Sequence, residues 1–301
     1  MHSANGAGMT KKHGKTVSLV LGSGGARGFA HVGVIRWLEE HDYKIASISG
    51  CSIGALIGGA YAAGKLDAFE QWVCSVGKAD IFKLLDLSWG GNGFFKGERL
   101  MDALKKFVGD QQIEDLPITY TAVAADVASE KEIWIRSGSL ADAIRASIAM
   151  PLFFTPFKLR GADLVDGGVL NPVPVAPTLS DDTELTIAVN LVGPPQGITE
   201  EARAAEPSAT ADVSMLPERL QKLIGSVREI AAKPIMPDWR VYDMANSALD
   251  AMQSTIARHR LADYRPDHTI VIARDACGTL EFNRALEMVE FGYKKAQERL
   301  G

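Results

Sequence analysis

Ser47-Ile48-Ser49-Gly50-Cys51-Ser52-Ile53-Gly54-Ala55 decides how this chain folds. A short apolar run ends at Gly50 and a small-residue helix begins just after Ser52. The serine therefore stands on a strand-to-helix turn, with glycines two residues before and two after it, in the pattern G-x-S-x-G. On so tight a turn, side chains larger than hydrogen at the flanking positions would clash. The turn pushes the hydroxyl outward, and the following helix aims its N-terminal dipole at it. With 29 glycines among 301 residues the motif alone is weak, and its meaning rests on what surrounds it.

One strand upstream lies a second glycine-rich turn. Thr16 to Leu21 is a short β-branched run of the kind buried in parallel sheets. It ends in Gly22-Ser23-Gly24-Gly25-Ala26-Arg27-Gly28, and an amphipathic helix follows to about His41. Strand, glycine loop, helix presents backbone N–H groups to an anion. That anion is either a dinucleotide pyrophosphate or the oxyanion of an acyl transfer. The dinucleotide fingerprint G-x-G-x-x-G fails: Arg27 occupies the third glycine position, and the next strand ends in the serine turn instead of an acidic residue. His13-Gly14-Lys15-Thr16 is likewise no P-loop, because it precedes a strand and lacks the earlier glycine.

The composition is globular, with 47% hydrophobic and 23% charged residues. A net charge of −5 argues against a general nucleic-acid binder. Cys51, Cys74 and Cys277 give no disulfide framework and no zinc spacing, which fits a reducing cytoplasm. No apolar run is long enough to span a bilayer, although peripheral contact with a membrane surface stays open.

Further strands are expected at Ala46–Ser49, 119–126, 131–136, 185–192 and 268–273. Helices are expected near 53–63, 67–76, 80–87, 140–148, 215–232, 239–261 and 282–300. The segment 88–97 reads as an aromatic-bearing loop. The alternation gives an α/β fold, a three-layer sandwich with a mainly parallel central sheet. Both chemical loops sit at the carboxyl ends of the first two strands, where such sheets bind ligands. The expected organisation is a disordered tail over 1–15 and one domain over 16–301. Within that domain lie a catalytic core at 16–192, an acidic mobile insert at 193–212 and a C-terminal extension at 213–301.

A serine hydroxyl attacks an ester only when a base removes its proton and donors bind the oxyanion. Gly24, Gly25 and Ala26 offer adjacent N–H donors, while Arg27 either adds positive charge or orients the loop through a salt bridge. The base is open among His2, His13, His31, His41, His259 and His268. The last two follow Asp166 in the order an α/β-hydrolase requires, yet that fold places several strands before its serine and this chain places one. Asp166-Gly167-Gly168, standing alone, reads as a plain turn.

Several blocks together resemble the patatin-like phospholipases, most closely their small bacterial RssA-like subgroup. These are Leu21 to Val34, Gly50 to Ala55, Asp86 to Trp89 with Gly97 to Arg99, Arg145 to Pro151, and Val165 to Pro174. They occur in the family's order and cover about Thr16 to Val192. Ser23 departs from the three consecutive glycines of many members, and 193–212 has no counterpart. The resemblance implies a patatin-like fold and a Ser–Asp dyad without histidine. Ser52 would be the nucleophile and Asp166 the base. Gly24, Gly25, Ala26 and Arg27 would form the oxyanion hole, Gly50 and Gly54 the elbow, and Gly167 and Gly168 the turn after the base. It further implies a fatty-acyl ester of a lipid as substrate, an acyl-serine intermediate, and neither metal nor cofactor. A lipid- or partner-binding regulatory module with little turnover is the alternative, motivated by the acidic insert and the amphipathic stretch 215–232.

Overall fold

The computed structural model describes residues 14–75, 98–151, 153–197 and 239–301. In chain order its elements begin with β1 (Thr16–Leu21), α1 (Ala30–Glu40), β2 (Lys44–Cys51), α2 (Ile53–Ala62), α3 (Leu66–Ser75) and α4 (Glu98–Val108). Next come β3 (Thr119–Asp126), β4 (Lys131–Ile135), α5 (Leu140–Ser147), β5 (Phe157–Leu159), β6 (Ala162–Asp166) and β7 (Leu185–Gly193). The chain closes with α6 (Trp239–Asp263), β8 (His268–Ala273) and α7 (Ala285–Leu300). The expected tail up to residue 13, the helix at 80–87, the loop at 88–97, the insert from 198 onward and the helix at 215–232 lie outside the described residues.

The strands form one sheet in the order β5-β6-β3-β2-β1-β7-β8, with β4 on the other edge of β3. Pairings among β3, β2, β1, β7 and β8 are parallel, and those of β3 with β4 and β6, and of β5 with β6, are antiparallel. A parallel strand buried on both faces carries apolar residues at every position. In β1, Val17, Leu19 and Leu21 join the large core beneath α1, α2 and α7. Val20 faces the other way, onto Val173, Val175, Ala188, Val192 and Ala257 of α6. Helices on both faces of a mainly parallel sheet make the three-layer α/β fold.

β5 and β6 differ from the sequence expectation, which has no strands there. With three and five residues they are too short to show a period. β6 nevertheless fixes the site. Cys51 pairs with Val123 of β3, and Asp166 pairs with the next residue, Ala124. The opposite edge of β3 is taken by β4, which pairs with Val123 and Ala124 alike. β6 therefore continues the edge on which β2 ends, and Asp166 arrives where β2 gives way to Ser52.

Candidate active site

Ser52 takes φ 57° and ψ −124°, a backbone conformation that side chains rarely adopt. Close packing on either side holds it there. A Cβ on Gly54 would stand 2.1 Å from the Leu21 carbonyl oxygen, and one on Gly50 would stand 2.5 Å from that of Gly54. Only glycine lets the start of α2 nest against the end of β1. Ser147 completes the turn: its hydroxyl accepts the Ser52 N–H at 2.9 Å and donates to the Val123 carbonyl at 2.6 Å. Ser147 is fully buried and ties three elements together.

The Ser52 hydroxyl donates to Oδ2 of Asp166 in a short hydrogen bond. Oδ1 of Asp166 accepts the Gly168 N–H at 2.8 Å and faces the Cys51 thiol at 3.8 Å. Asp166 is 2% exposed. Burial pushes its pKa up to about 6, against the lowering pull of the Ser52, Gly168 and Cys51 donors. A carboxylate that titrates so close to neutrality is a far better base toward a hydroxyl than a solvated aspartate. Cys51 stays a neutral thiol, because burial and then the charge of Asp166 both drive its pKa well upward.

The histidines take other places. His31 is completely buried, bonds the Gly22 carbonyl at 2.9 Å, and has its pKa lowered to about 4 by burial. His41 stacks on Trp37 and bonds the Trp37 carbonyl at 2.8 Å. His259 lies exposed on α6, and His268 opens β8 at the far end of that strand from the loops. None of these four forms a hydrogen bond with Ser52 or Asp166 among the described residues.

The glycine loop needs two corrections. The Ala26 N–H is already donated to the Thr279 carbonyl at 2.9 Å, so Ala26 offers no oxyanion donor. The Arg27 guanidinium is 1% exposed and turned away. It bonds the carbonyls of Arg274 and Cys277 at 2.9 and 3.3 Å and pairs with Asp250 of α6 at 3.1 Å. Of the two sequence readings of Arg27, loop orientation is the one this geometry supports. Gly24 and Gly25 remain, their N–H groups without a partner among the described residues. Gly25 has φ +57°, and a Cβ there would stand 2.4 Å from the Thr279 carbonyl oxygen. The loop is thus seated on a segment far away in the sequence.

Beside the dyad, Met150, Pro151, Ala245, Asn246, Ala248, Leu249 and Met252 line an almost wholly apolar cavity of about 320 Å³. Its wall begins one residue past Ala149, whose carbonyl accepts the Asp166 N–H at 2.9 Å. Among the described residues no cluster of His, Cys, Asp or Glu is arranged to hold a metal ion. No helix among them is long and apolar enough to cross a membrane.

Sequence comparison places this geometry in context. The sequence model of the patatin-like phospholipase family matches residues 19–179. An uncharacterised NTE family protein of Mycobacterium bovis is 39% identical over 330 aligned positions, covering 94% of this chain and 91% of the relative. A lysophospholipase of Emericella nidulans is 33% identical over 196 positions, covering 61% of this chain and 13% of the relative. Among solved structures, VipD from Legionella pneumophila superposes with a TM-score of 0.54 at 16% identity, covering 95% of this chain and 66% of that one, which is a likeness of fold.

Proposed function

The chain belongs to the patatin-like phospholipase family, and from that premise we propose that it is a serine acyl hydrolase cleaving fatty-acyl esters of lipids through Ser52 and Asp166. The observation that carries this reading is the hydrogen bond from the Ser52 hydroxyl to a carboxylate whose burial raises its pKa to about 6.

In the proposed cycle the acyl chain lies in the apolar cavity along α6, with its ester over Ser52. Asp166 accepts the hydroxyl proton as Ser52 Oγ bonds to the carbonyl carbon. The N–H groups of Gly24 and Gly25 receive the charge that develops on the carbonyl oxygen. As the tetrahedral centre collapses, Asp166 returns the proton to the departing alcohol or lysolipid, leaving acyl-Ser52. A water deprotonated by Asp166 then releases the fatty acid and restores the serine. One carboxylate serves as base and acid in turn, and a pKa near the operating pH suits both roles.

Hydrolysis of p-nitrophenyl acyl esters and covalent labelling by a fluorophosphonate test the reading. Both are expected from the native chain and from His268→Ala, and both are lost in Ser52→Ala. Asp166→Asn should lower turnover by roughly 10²–10⁴-fold, the usual worth of a positioned base. Ester hydrolysis that survives in Ser52→Ala would refute it.

A further inference from the structure

Two polar side chains stand beside the Asp166–Gly168 turn and take no part in the steps above. Ser23, on the glycine loop, is 4% exposed, and Gln253, on α6, is 6% exposed. No hydrogen bond joins either side chain to the rest of the protein among the described residues, and neither polar end is among the side-chain atoms sealed from solvent without a partner. Polar ends so placed take water as their partner. The two groups also converge. The point at which a Cβ on Gly168 would stand is 2.6 Å from Ser23 Oγ and 2.8 Å from Gln253 Nε2. Two polar atoms flanking one point at those distances lie within the span that a single water molecule bridges. Gly168 itself is bonded through its N–H to the Asp166 carboxylate.

We propose that Ser23 and Gln253 form a binding site for the water that hydrolyses acyl-Ser52. This rests on the acyl-serine reading given above. A water molecule both donates and accepts, as do a hydroxyl and the two ends of an amide, so either orientation of Gln253 serves. The acyl chain is provided for elsewhere, by the apolar cavity whose lining on this helix ends at Met252, and Gln253 is not part of that lining. Once Ser52 is acylated its oxygen carries no hydrogen, and Asp166 Oδ2 becomes available to another donor. The water oxygen bonds to the acyl carbon while its proton passes to Asp166. The bond from that carbon to Ser52 Oγ then breaks, the proton passes from Asp166 to Oγ, and the fatty acid leaves. Ser23 occupies the position where many family members carry glycine, and Gln253 lies beyond the segment that the family model matches.

The test separates the two half-reactions in the full-length chain. Fluorophosphonate labelling needs Ser52, its base and the oxyanion donors but no water, so Gln253→Met and Ser23→Ala should label within about twofold of the native rate. Steady-state hydrolysis of p-nitrophenyl butyrate should fall about tenfold in Gln253→Met, the worth of one hydrogen bond, and less in Ser23→Ala. Intact-mass measurement during turnover should show acyl-Ser52 accumulating in the variants above its native level. A structural role alone would slow labelling and turnover together, and that result overturns the proposal, as does unchanged turnover in both variants. A native chain that neither labels nor turns over would overturn the acyl-serine reading itself.

Discussion

At the residue scale, the site stores an unfavourable carboxylate. Asp166 has its folded pKa raised from 3.8 to about 6, with burial as the largest cause. In its proposed role of base it must be ionised, so kcat/KM should fall about tenfold per pH unit below pH ~6 and level off above it. Cys51→Ala removes one donor to the carboxylate, and the acid limb of that profile should move to higher pH. The same shift has a consequence for stability. The folded state holds the Asp166 proton more tightly than the unfolded chain does, so the stabilisation is complete below the unfolded pKa and is lost as pH rises through about 6. Asp166→Asn, expected above to slow turnover, should therefore stabilise the fold at neutral pH by on the order of 2–3 kcal/mol. That gain should shrink through pH ~6 and vanish below pH ~4 in denaturant titrations. Ser52 is marked by the glycines of its own turn, whereas Asp166-Gly167-Gly168 alone reads as a plain turn and is given a role only by the family resemblance. The roles of Ser147, Cys51 and Gln253 are not legible there, because they exist only once β3, β6 and α6 bring distant segments together.

At the element scale, α6 serves the site in two ways. It lines the cavity with Ala245, Asn246, Leu249 and Met252. Asp250 grips the glycine loop through Arg27, and Asn246 also donates to the hydroxyl of Thr279, on the segment against which that loop is seated, at 3.3 Å. Asp250→Ala leaves a buried guanidinium without its carboxylate. Asp250 is itself 21% exposed, so water softens the loss, and destabilisation of about 1–3 kcal/mol is expected by denaturant unfolding. Fluorophosphonate labelling should slow as well, since the loop carrying Gly24 and Gly25 loses its anchor. Ala245→Trp should fill the cavity instead. Each methylene excluded forfeits about 0.8 kcal/mol, so octanoyl and longer p-nitrophenyl esters should lose ground to the acetate by tenfold or more in kcat/KM. The strands β1, β2, β3, β4, β7 and β8 and the helices α1, α2, α3, α5, α6 and α7 each answer to a segment expected from the sequence. β5 and β6 were too short. α4 has no counterpart among the expected helices, although Met101, Leu104 and Val108 recur at helical spacing; the glycine- and aromatic-rich sequence at 88–97 just before it carries no such period.

At the scale of the whole molecule, the family's signature residues and the C-terminal third are interlocked. The sequence suggests one domain over 16–301 with its core at 16–192, and three contacts tie that core to residues 239–301. β8 extends the parallel sheet along β7. α7 packs on α1 so closely that a Cβ on Gly292 would stand 2.0 Å from the Ala30 carbonyl oxygen. The Thr279 carbonyl holds the Ala26 N–H, and the carbonyls of Arg274 and Cys277 hold Arg27. Truncation after residue 192 would expose the α1 face and the edge of β7, and would release the loop that carries Gly24 and Gly25. We expect that fragment to be unfolded by circular dichroism and unreactive toward fluorophosphonate. In the full chain, residues 16–192 and 239–301 should unfold in one cooperative transition, with tryptophan fluorescence, far-UV circular dichroism and loss of labelling coinciding along a urea titration. Gly292→Val forces α7 away from α1 and should lower the midpoint of all three curves together, by several kcal/mol of overpacking and lost helix contact. Labelling that persists past the first of two separated transitions would show instead that the signature segment stands without its C-terminal third.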